Sequence, residues 1–402
     1  MKIVQINTTC GAGSTGKICA AVSELLTSEG IDNYIFYTVG YSIHPSGKKY
    51  MSEWETKTQA LKSRIFGNYG FQSKRATRRL LGELNRISPD IVLLHNLHSH
   101  NVNLDMLFSY LKERKIKIFW TFHDCWAMTG YCPHYDMIGC DKWQMGCCDC
   151  PQKSYYSWLF DRSSYLYEKK KKLFSGLDLT IITPSQWMAD QVKESFLSEY
   201  PGIVIHNGID LSVFRFRESS FRMKYGLEDR FVILGVAFGW GKRKGLDAFI
   251  KLSECLDERF KIVLVGTDDK IDKQLPDNII SIHRTHDQVE LAEIYSAADL
   301  LVNPTREDTF PTVNIESLAC GTPVLTFRTG GSPEIIDKNT GCVVERDDEK
   351  ALYDSIIDIE INRQFTRSNC EERAKKFHQH DKYMEYVELV KNAVNKSNCE
   401  KI

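Results

Sequence analysis

The stretch from Asn303 to Glu334, NPTREDTFPTVNIESLACGTPVLTFRTGGSPE, carries more structural information than any other part of this chain. An apolar run at 299–302 predicts a buried strand, and a loop containing Asp308 separates it from a helix that begins at Pro311. The N-terminus of a helix offers unpaired N–H groups to an anion such as a diphosphate. Asp308 before the helix and Glu316 on it add carboxylates that accept hydrogen bonds from hydroxyls. We therefore expect a site for a ligand with both phosphate and hydroxyl groups.

The composition is that of a globular protein with balanced charge. The 402 residues include 52 Lys and Arg and 53 Asp and Glu, which gives a net charge of −1. A chain of this length exceeds one ordinary core, so we expect two domains. Balanced charge argues against a dedicated nucleic-acid-binding protein, which usually has a large basic excess. We therefore expect no nucleic-acid partner.

Short apolar runs alternate with helical patterns along the whole chain. One series includes KIVQIN, DIVLLHNL and KIKIFWTF, and a second begins at RFVILGVAF and continues through FKIVLVG and DLLVNP. Strands that alternate with helices predict parallel sheets with helices on both faces, which is the α/β class. Because the series restarts, we expect two doubly wound domains with a boundary near 205–220. Ligands of such sheets bind beyond the carboxyl ends of the strands, where nearly all the motifs lie.

The unit at Asn303–Glu334 resembles the nucleotide-sugar site of family-4 retaining glycosyltransferases. In that family an acid is followed after seven residues by Glu, as Asp308 is by Glu316, and the chain continues into a stretch like ACGTPV. The resemblance implies the GT-B fold, in which two doubly wound Rossmann-like domains face each other across a cleft. It implies an acceptor-side domain at 1–205, a nucleotide-sugar-binding domain at 206–380, and a final helix at about 381–402 that packs back on the first domain.

The resemblance assigns roles to three side chains of the expected site. The first acid of the family motif contacts the donor sugar and the second contacts the ribose, which gives these roles to Asp308 and Glu316. Asp308 stands where the family usually has Glu, so its reach is one methylene shorter. His123 in FWTFHDCW corresponds to a His that lies next to the donor sugar. Without the resemblance, Glu316 would read as a solvated helix residue and Asp308 as a helix cap.

A basic segment, GWGKRKGLD at Gly239–Asp247, matches the family at Lys244, whose charge neutralises the donor diphosphate. Gly239 stands where the family has an Arg, so Lys242 or Arg243 takes over that role, or the role is lost. We expect catalytic roles for Asp308, Lys244 and His123. The residues expected to bind the donor are Gly13, Arg243, Thr309, Phe310, Pro311, Glu316, Gly331 and Glu334.

The segment Cys10–Ile18, CGAGSTGKI, admits two interpretations. Its spacing from Gly11 to Lys17 matches the P-loop of nucleotide hydrolases, and it follows a strand and opens a helix. A P-loop has Ser or Thr after the Lys to bind magnesium, whereas this chain has Ile18. The resemblance instead implies a glycine-rich loop, including Gly13, that lets the backbone approach donor phosphate and acceptor.

Four cysteines lie close together in YCPHYDMIGCDKWQMGCCDCP. In a cytoplasmic protein, the spacing of Cys132, Cys140, Cys147 and Cys150 fits a tetrahedral structural zinc, with reduced thiols and disulfides as the alternatives. A subset of family-4 enzymes has a similar insert.

For His95, His98 and His100 in LLHNLHSHNVN, we favour a loop beside the acceptor over a metal site. The resemblance implies that catalysis requires no cofactor.

The location of the protein can also be predicted. MKIVQINTT reads as a strand rather than a signal peptide, and no apolar run reaches the roughly 18 residues of a membrane span. Two stretches, Lys62–Arg79 and Lys153–Lys172, combine basic and aromatic residues, which anionic membrane surfaces attract. Solvated helices with an aromatic core face are the alternative. We therefore expect a cytoplasmic protein that is peripheral on the inner face of the plasma membrane.

The sequence thus predicts a retaining glycosyltransferase of the hexosyltransferase class. It would move a sugar from a UDP- or GDP-sugar to a hydroxyl of a glycan or lipid-linked glycan. Analogy with the family places the reaction in capsule or other surface polysaccharide synthesis. Two alternatives stay open. One is a non-catalytic nucleotide-sugar-binding protein, suggested by Asp308 and the missing Arg, and the other is a P-loop NTPase that uses Gly11–Lys17.

Overall fold

The computed structural model describes residues 1–98 and 100–399, with side chains up to residue 394. Contacts between Cα atoms divide the chain into two units. One consists of Met1–His206 together with the segment from Lys382 onward, and the other of Asn207–Asp381. Each unit is built on one parallel sheet, so the α/β class predicted from the alternating runs is confirmed.

The N-terminal unit contains a seven-stranded sheet in the order β3-β2-β1-β4-β5-β6-β7, and every pair of neighbours is parallel. Its strands are β1 (Lys2–Ile6), β2 (Asp32–Tyr37), β3 (Gly47–Lys49), β4 (Ile91–Leu94), β5 (Lys117–Thr121), β6 (Leu179–Thr183) and β7 (Gly202–Val204). Its helices are α1 (Gly13–Ser28), α2 (Glu53–Phe66), α3 (Lys74–Ile87), α4 (Leu104–Glu113), α5 (Lys142–Met145), α6 (Lys153–Tyr156), α7 (Ser163–Phe174) and α8 (Gln186–Glu194), with a 3₁₀ helix at Trp126–Met128.

The second unit contains a six-stranded parallel sheet in the order β10-β9-β8-β11-β12-β13. Its strands are β8 (Phe231–Val236), β9 (Phe260–Val265), β10 (Ile279–Ile282), β11 (Leu300–Asn303), β12 (Val324–Phe327) and β13 (Gly341–Val344). Its helices are α9 (Phe221–Tyr225), α10 (Leu246–Cys255), α11 (Asp269–Asp272), α12 (Gln288–Ala297), α13 (Thr312–Ala319), α14 (Ser332–Ile335), α15 (Glu349–Asn362) and α16 (Arg367–Lys375), with a 3₁₀ helix at Lys242–Lys244.

Both faces of each sheet are covered. In β8, Phe231 and Ile233 belong to one apolar cluster, while Val232 and Leu234 belong to another. Because side chains alternate along a strand, two clusters mean that helices pack on both sides of the sheet. This double burial explains why the strands appear in the sequence as continuous apolar runs rather than alternating ones.

The strand order places the candidate residues at two switch points. In the first sheet the order reverses between β1 and β4, and in the second between β8 and β11. Loops that leave neighbouring strands at such a reversal diverge to opposite faces of the sheet and leave a crevice between them. Asp308 follows β11 and Lys244 follows β8, so the fold brings these two loops to the same crevice.

The last helix, α17 (Gln379–Cys399), contributes to the core of the N-terminal unit. Tyr386 and Val387 are buried in a cluster with Ile3 of the central strand β1. The hydroxyl of Tyr386 lies 3.3 Å from Oγ1 of Thr121 at the end of β5. Among the described residues, no helix has the length and apolar character needed to cross a membrane.

A lysine is fully buried in the N-terminal unit. Lys170 on α7 donates hydrogen bonds to the carbonyl oxygens of Trp126 (2.7 Å) and Thr129 (3.0 Å), and its Nζ lies 3.6 Å from the centre of the Trp126 ring. Burial lowers the pKa of Lys170 to about 7. These contacts fix the 3₁₀ helix that follows His123 and Asp124 in the chain.

Replacement of Lys170 by Met should destabilise this unit. The variant keeps the bulk of the side chain but leaves two buried carbonyl groups without their donor, and each unsatisfied group costs about 1–3 kcal/mol. We expect a Tm several degrees below that of the wild type in thermal unfolding. Lys171→Met, at the adjacent exposed position, is the control and should leave the Tm unchanged. Equal Tm values for the two variants would contradict this role of Lys170.

Candidate active site

An ion pair lies at the switch point of the second sheet. Lys244 Nζ donates to Asp308 Oδ2 at 2.7 Å, and the two side chains are 18% and 22% exposed. The backbone N–H of Phe310 donates to the other carboxylate oxygen of Asp308 at 3.3 Å. The structure therefore brings together two of the three residues expected to be catalytic, although they are far apart in the sequence.

The glycine turn of Gly330 and Gly331 supports the loop that carries Asp308. Gly330 has φ of +51°, and a Cβ at this position would lie 1.7 Å from the carbonyl oxygen of Asp308. Gly331 N–H donates to the carbonyl oxygen of Thr309 at 3.2 Å. Only glycine allows this approach, because a side chain would displace the loop and the carboxylate with it.

Arg306 holds the segment that carries Lys244, and sequence reasoning missed it. Its guanidinium donates to Asp247 at 2.7 and 3.0 Å and to Asp347 at 2.6 Å, and its side chain is only 5% exposed. Its backbone N–H donates to the carbonyl oxygen of Arg243 at 2.9 Å. An Arg in a polar loop reads as exposed in the sequence, and it is buried here because three loops meet around it.

Glu316 is held by a partner that the sequence did not reveal. The hydroxyl of Tyr295, on α12, donates to Glu316 Oε2 at 3.0 Å. Burial, reinforced by the charge of Glu316, raises the pKa of Tyr295 well above its usual value. The hydroxyl therefore stays protonated and orients the Glu316 carboxylate, which is not merely a solvated group on a helix.

Several polar groups near the glycine turn are buried without a hydrogen-bond partner among the described residues. They are the amide nitrogen of Asn314 and the hydroxyls of Thr329 and Ser332. More than nine in ten buried polar groups in proteins are hydrogen-bonded. Three exceptions on α13 and around Gly330–Gly331 therefore leave hydrogen-bonding capacity unused in this region.

The other residues expected to bind the donor lie on the same loops and helices. Pro311 is the N-cap of α13, which has no side-chain cap. Glu334 is half-buried on the short helix α14, and its carbonyl oxygen accepts a hydrogen bond from Arg373 at 2.6 Å. Arg243 is half-buried in the 3₁₀ helix beside Lys244, whereas Lys242 is exposed.

In the N-terminal unit, the glycine-rich loop connects β1 to α1. Gly11 N–H donates to the carbonyl oxygen of Gly16 at 2.9 Å, which closes the loop on the first turn of the helix. Gly13 has φ of +67°, and no atom lies within 4 Å of the position that a Cβ would take. The exposed backbone of Gly13 is thus accessible to a ligand.

His123 and Asp124 have separate partners. His123 Nε2 lies 3.0 Å from His95 Nδ1, and the planes of the two rings are inclined by only 16°. Asp124 pairs with His98 Nε2 at 2.7 Å and accepts from the backbone N–H of Trp126 at 2.9 Å. Burial alone would raise the pKa of Asp124, but the charge and hydrogen bond of His98 dominate and hold it at about 2. Asp124 is therefore ionised.

The three histidines of LLHNLHSHNVN do not converge. His95 contacts His123, His98 contacts Asp124, and His100 packs edge-on against Tyr69. In the described parts of the chain, two groups have ligand atoms within 4.8 Å of one another, and both lie in the second unit: His378, His380 and Asp381, and Asp269, Asp272 and His283.

Two family models match most of the chain. Residues 19–213 match the model described as Glycosyltransferase Family 4, and residues 228–361 match the model described as Glycosyl transferases group 1. The first match covers mainly the N-terminal unit and ends shortly after the start of the second, and the other match lies within the second unit. The P-loop interpretation of Gly11–Lys17 and the non-catalytic interpretation have no support from these matches.

Curated relatives agree with the family models. WcaC of Escherichia coli (strain K12), described as a putative colanic acid biosynthesis glycosyl transferase, is 24% identical over 380 residues, which are 87% of this chain and 88% of WcaC. CapM of Staphylococcus aureus, a capsular polysaccharide biosynthesis glycosyltransferase, is 27% identical over 233 residues, which are 53% of this chain and 59% of CapM.

Solved structures show the same fold. Sucrose-phosphate synthase from Thermosynechococcus elongatus has a TM-score of 0.71 at 17% identity, covering 98% of this chain and 99% of that one. Anabaena HepE in complex with UDP has a TM-score of 0.70 at 14% identity, covering 98% and 100%. The predicted GT-B fold is therefore confirmed. With glycosyltransferase models matching both units, this chain is an enzyme that belongs to the family-4 glycosyltransferases.

Proposed function

We propose that this enzyme transfers a sugar from a nucleotide diphosphate sugar to a hydroxyl of a glycan or lipid-linked glycan in surface polysaccharide synthesis. The observation that carries the proposal is the Lys244–Asp308 ion pair beside the glycine turn. The names of WcaC and CapM support the polysaccharide setting, and the HepE complex supports a UDP-type donor.

The second unit would hold the nucleotide. Lys244 and the N–H groups near Pro311 and Gly331 would face the diphosphate, because cations and helix N-termini both favour anions. Glu316, oriented by Tyr295, would accept from the ribose hydroxyls. Thr309, Phe310 and Glu334 would complete the donor site. Arg243 is better placed than Lys242 to replace the missing family Arg, since it is half-buried beside Lys244.

Donor binding would exchange the partners of the ion pair. A pair that is about one-fifth exposed on each side is worth at most about 1 kcal/mol after screening by solvent. A diphosphate carries more negative charge than Asp308 and would draw Lys244 away. The released Asp308 carboxylate would then accept hydrogen bonds from the donor sugar. Donor binding would thereby place Lys244 against the diphosphate and Asp308 against the sugar.

The chemical step would rest on stabilisation of the leaving diphosphate. Negative charge develops on it as the bond to the sugar breaks, and a fixed cation lowers the energy of that transition state. His123, on the N-terminal unit, is assigned to the donor sugar. No side chain is an evident nucleophile for double displacement, so we propose attack by the acceptor on the same face, with retention of configuration.

The experiment that tests the function is acceptor-dependent release of the nucleotide. The purified enzyme is incubated with UDP- and GDP-sugars and with a lipid-linked glycan extract. We expect UDP or GDP to be released with one donor only when acceptor is present, and the anomeric proton coupling of the product to match that of the donor. Release of neither nucleotide under any condition would contradict transfer, and inverted coupling would contradict retention.

Replacement of Lys244 by Met should affect catalysis more than binding. The diphosphate carries its greatest charge in the transition state, so loss of the cation should lower kcat by about 100-fold with a smaller rise in KM. Lys273→Met, an exposed lysine of the same unit, is the control and should leave steady-state kinetics unchanged. A rise in KM with unchanged kcat would restrict Lys244 to ground-state binding.

The enzyme would meet a membrane through an aromatic–basic surface on the N-terminal unit. We define this surface as Leu61, Arg64, Phe66, Trp158, Leu159, Phe160 and Arg162. Its five apolar side chains are 49–62% exposed. Trp158 N–H donates to the carbonyl oxygen of Arg64 at 2.7 Å, which joins α2 to the later segment. Exposed apolar groups flanked by cations fit an anionic bilayer surface.

Some basic residues of the two stretches, Lys62–Arg79 and Lys153–Lys172, are buried or paired and do not belong to the proposed membrane-facing surface. Lys170 is buried, and Lys169 pairs with Asp105 at 2.7 Å, so neither belongs to the surface. Within Lys62–Arg79, Arg79 pairs with Glu55. Lys74, Arg75, Arg78, Lys171 and Lys172 are also exposed but lie on α3 and α7, so the surface proposed here is limited to the C-terminal end of α2 and the segment around Trp158.

Flotation with liposomes tests this contact. We expect the wild type to float with vesicles that contain anionic lipid and to be released by salt, which screens the attraction. A variant with Trp158, Leu159 and Phe160 all changed to Ser should float much less. Ile361→Ser, which removes an exposed apolar side chain from the other unit, is the control. A wild type that never floats, even at low salt, would show that the acceptor is reached without membrane contact.

A structural zinc would tie together the four cysteines. Cys132 is buried, and Cys140, Cys147 and Cys150 pack partly buried around the same core. Burial raises the pKa of Cys132 to about 12, and the charges of the other three thiols contribute, which shows that they are near one another. Among the described residues, no three of these sulfurs lie within 4.8 Å of one another. Zinc with bonds of about 2.3 Å would need to draw them closer.

Metal analysis distinguishes zinc from free thiols. Protein purified without added metal should contain about one zinc per chain, and chelation should release it together with a loss of stability. A Cys132→Ser variant should lose the zinc, whereas Cys255→Ser, an exposed cysteine of the other unit, should keep it. Zinc-free protein with reactive thiols would show that the cysteines are structural only.

A further inference from the structure

A cavity of about 280 Å³ lies in the second unit, at the end of the sheet where the strands begin. Its lining includes Phe231 at the start of β8, Asp299 just before β11, and Pro323 just before β12. The Lys244–Asp308 ion pair instead follows the ends of β8 and β11. A strand of six residues such as β8 is about 20 Å long, so the cavity is separate from the proposed donor site.

The charged residues that line this cavity are three arginines and one acid: Arg222, Arg363, Arg367 and Asp299. Three positive charges against one negative charge leave a net charge of +2. Arg222 has a structural role, because its guanidinium donates to Asp299, to the carbonyl oxygen of Ala297 at 2.8 Å, and to two further carbonyl groups. Its hydrogen-bonding capacity is therefore used within the protein, and the other two arginines determine what the cavity can bind.

Both oxygens of the Asp299 carboxylate are occupied. One accepts from Arg222 and from the N–H of Val232 at 2.7 Å, and the other accepts from Nη1 of Arg363 at 2.9 Å. Nε of Arg363 donates to the carbonyl oxygen of Glu360 at 3.1 Å. Within the described part of the chain, Nη2 of Arg363 has no acceptor. Arg363 thus has donors left for a ligand.

The side chain of Arg367 is exposed but held in position by its neighbours. Its guanidinium carbon lies over the ring of Phe216, 3.4 Å from the ring centre. Gly321 has φ of +86°, and a Cβ there would lie 2.4 Å from Cγ of Arg367, so the side chain packs on the turn that follows α13. A guanidinium that stacks through its flat face keeps its N–H groups free at the edge. No acceptor among the described residues binds them.

The remaining surroundings do not remove this positive charge. Arg217 and Glu371 lie close enough to Cys320, in the cavity wall, to influence it, and their charges are opposite. Apolar side chains complete the lining, and they are Phe216, Phe231, Ile359 and Phe365. The cavity therefore combines two oriented guanidinium groups with apolar walls.

We propose that this cavity binds the phosphate or diphosphate group of a small phosphorylated molecule through Arg363 and Arg367. Guanidinium groups match phosphate oxygens with paired, charge-assisted hydrogen bonds. A cleft lined by positive charge also raises the local concentration of anions. The apolar walls would contact the organic part of the molecule. This site is separate from the one that the proposed function uses, and its test does not require sugar transfer.

Chemical modification of arginine tests the site in the wild-type protein. Phenylglyoxal reacts with accessible guanidinium groups, and mass spectrometry of peptides gives the rate at each arginine. Inorganic pyrophosphate is the probe, and sodium chloride at equal ionic strength controls for screening. We expect pyrophosphate to slow the modification of Arg363 and Arg367 severalfold and to leave Arg75, an exposed arginine of α3, unaffected. No protection of Arg367, or equal protection of Arg75, would overturn the proposal.

Calorimetric titration with pyrophosphate measures the contribution of each arginine. Pyrophosphate also fits the proposed donor site, so the titrations use Lys244→Met, in which that site is weakened. Adding Arg367→Met should weaken the remaining binding by about tenfold, because a charge-assisted hydrogen bond is lost. Adding Arg75→Met is the matched control and should leave the affinity unchanged. If Arg367→Met does not fold, Arg363→Met takes its place. Equal affinities of the test and control variants would show that pyrophosphate binds elsewhere.

Discussion

The ion pair between Lys244 and Asp308 is the interaction on which the proposed donor site depends. It joins the loops that follow β8 and β11, where the strand order of the second sheet reverses. Those loops also touch through their backbones, because a Cβ on Gly245 would lie 2.4 Å from the carbonyl oxygen of Pro304. The buried guanidinium of Arg306 supports the segment that carries Lys244, and the turn at Gly330 supports the loop that carries Asp308. These contacts fix the backbone on both sides of the ion pair.

The partial exposure of Lys244 and Asp308 determines how much free energy is needed to separate the two charges. A fully buried ion pair is costly to separate, because each charge is left in a medium of low dielectric constant. Lys244 and Asp308 are each about one-fifth exposed, so in the proposed mechanism an incoming diphosphate would replace the carboxylate at small cost. The shorter side chain of Asp308, compared with the Glu usual in the family, suits a residue that contacts Lys244 closely before the donor arrives. The same pair can therefore serve the free enzyme and the proposed complex.

Local sequence signals predicted the fold and the residues that begin or end an element. Continuous apolar runs marked the buried strands, and the spacing of Asp308 and Glu316 was readable because both lie within one strand–helix unit. Arg306 and Tyr295 escaped prediction because their partners lie at least 21 residues away and meet them only in the fold. Lys170 escaped for a related reason, since nothing in a run of four lysines indicates which one is buried. A buried polar residue is defined by its partners, and those are properties of the topology.

The exchange of partners at Lys244 can be measured most directly by calorimetric titration of the enzyme with UDP and GDP, in the wild type and in Asp308→Asn. Removal of the carboxylate frees Lys244 without touching the nucleotide, since neither ligand carries the sugar that Asp308 would contact. If a diphosphate displaces Asp308 from Lys244, one of the two nucleotides should bind to Asp308→Asn about 2- to 5-fold more tightly than to the wild type, the value of a partly exposed ion pair. Asp269→Asn, an exposed acid elsewhere in the unit, should bind it like the wild type. Weaker or equal binding by Asp308→Asn would contradict the exchange of partners at Lys244.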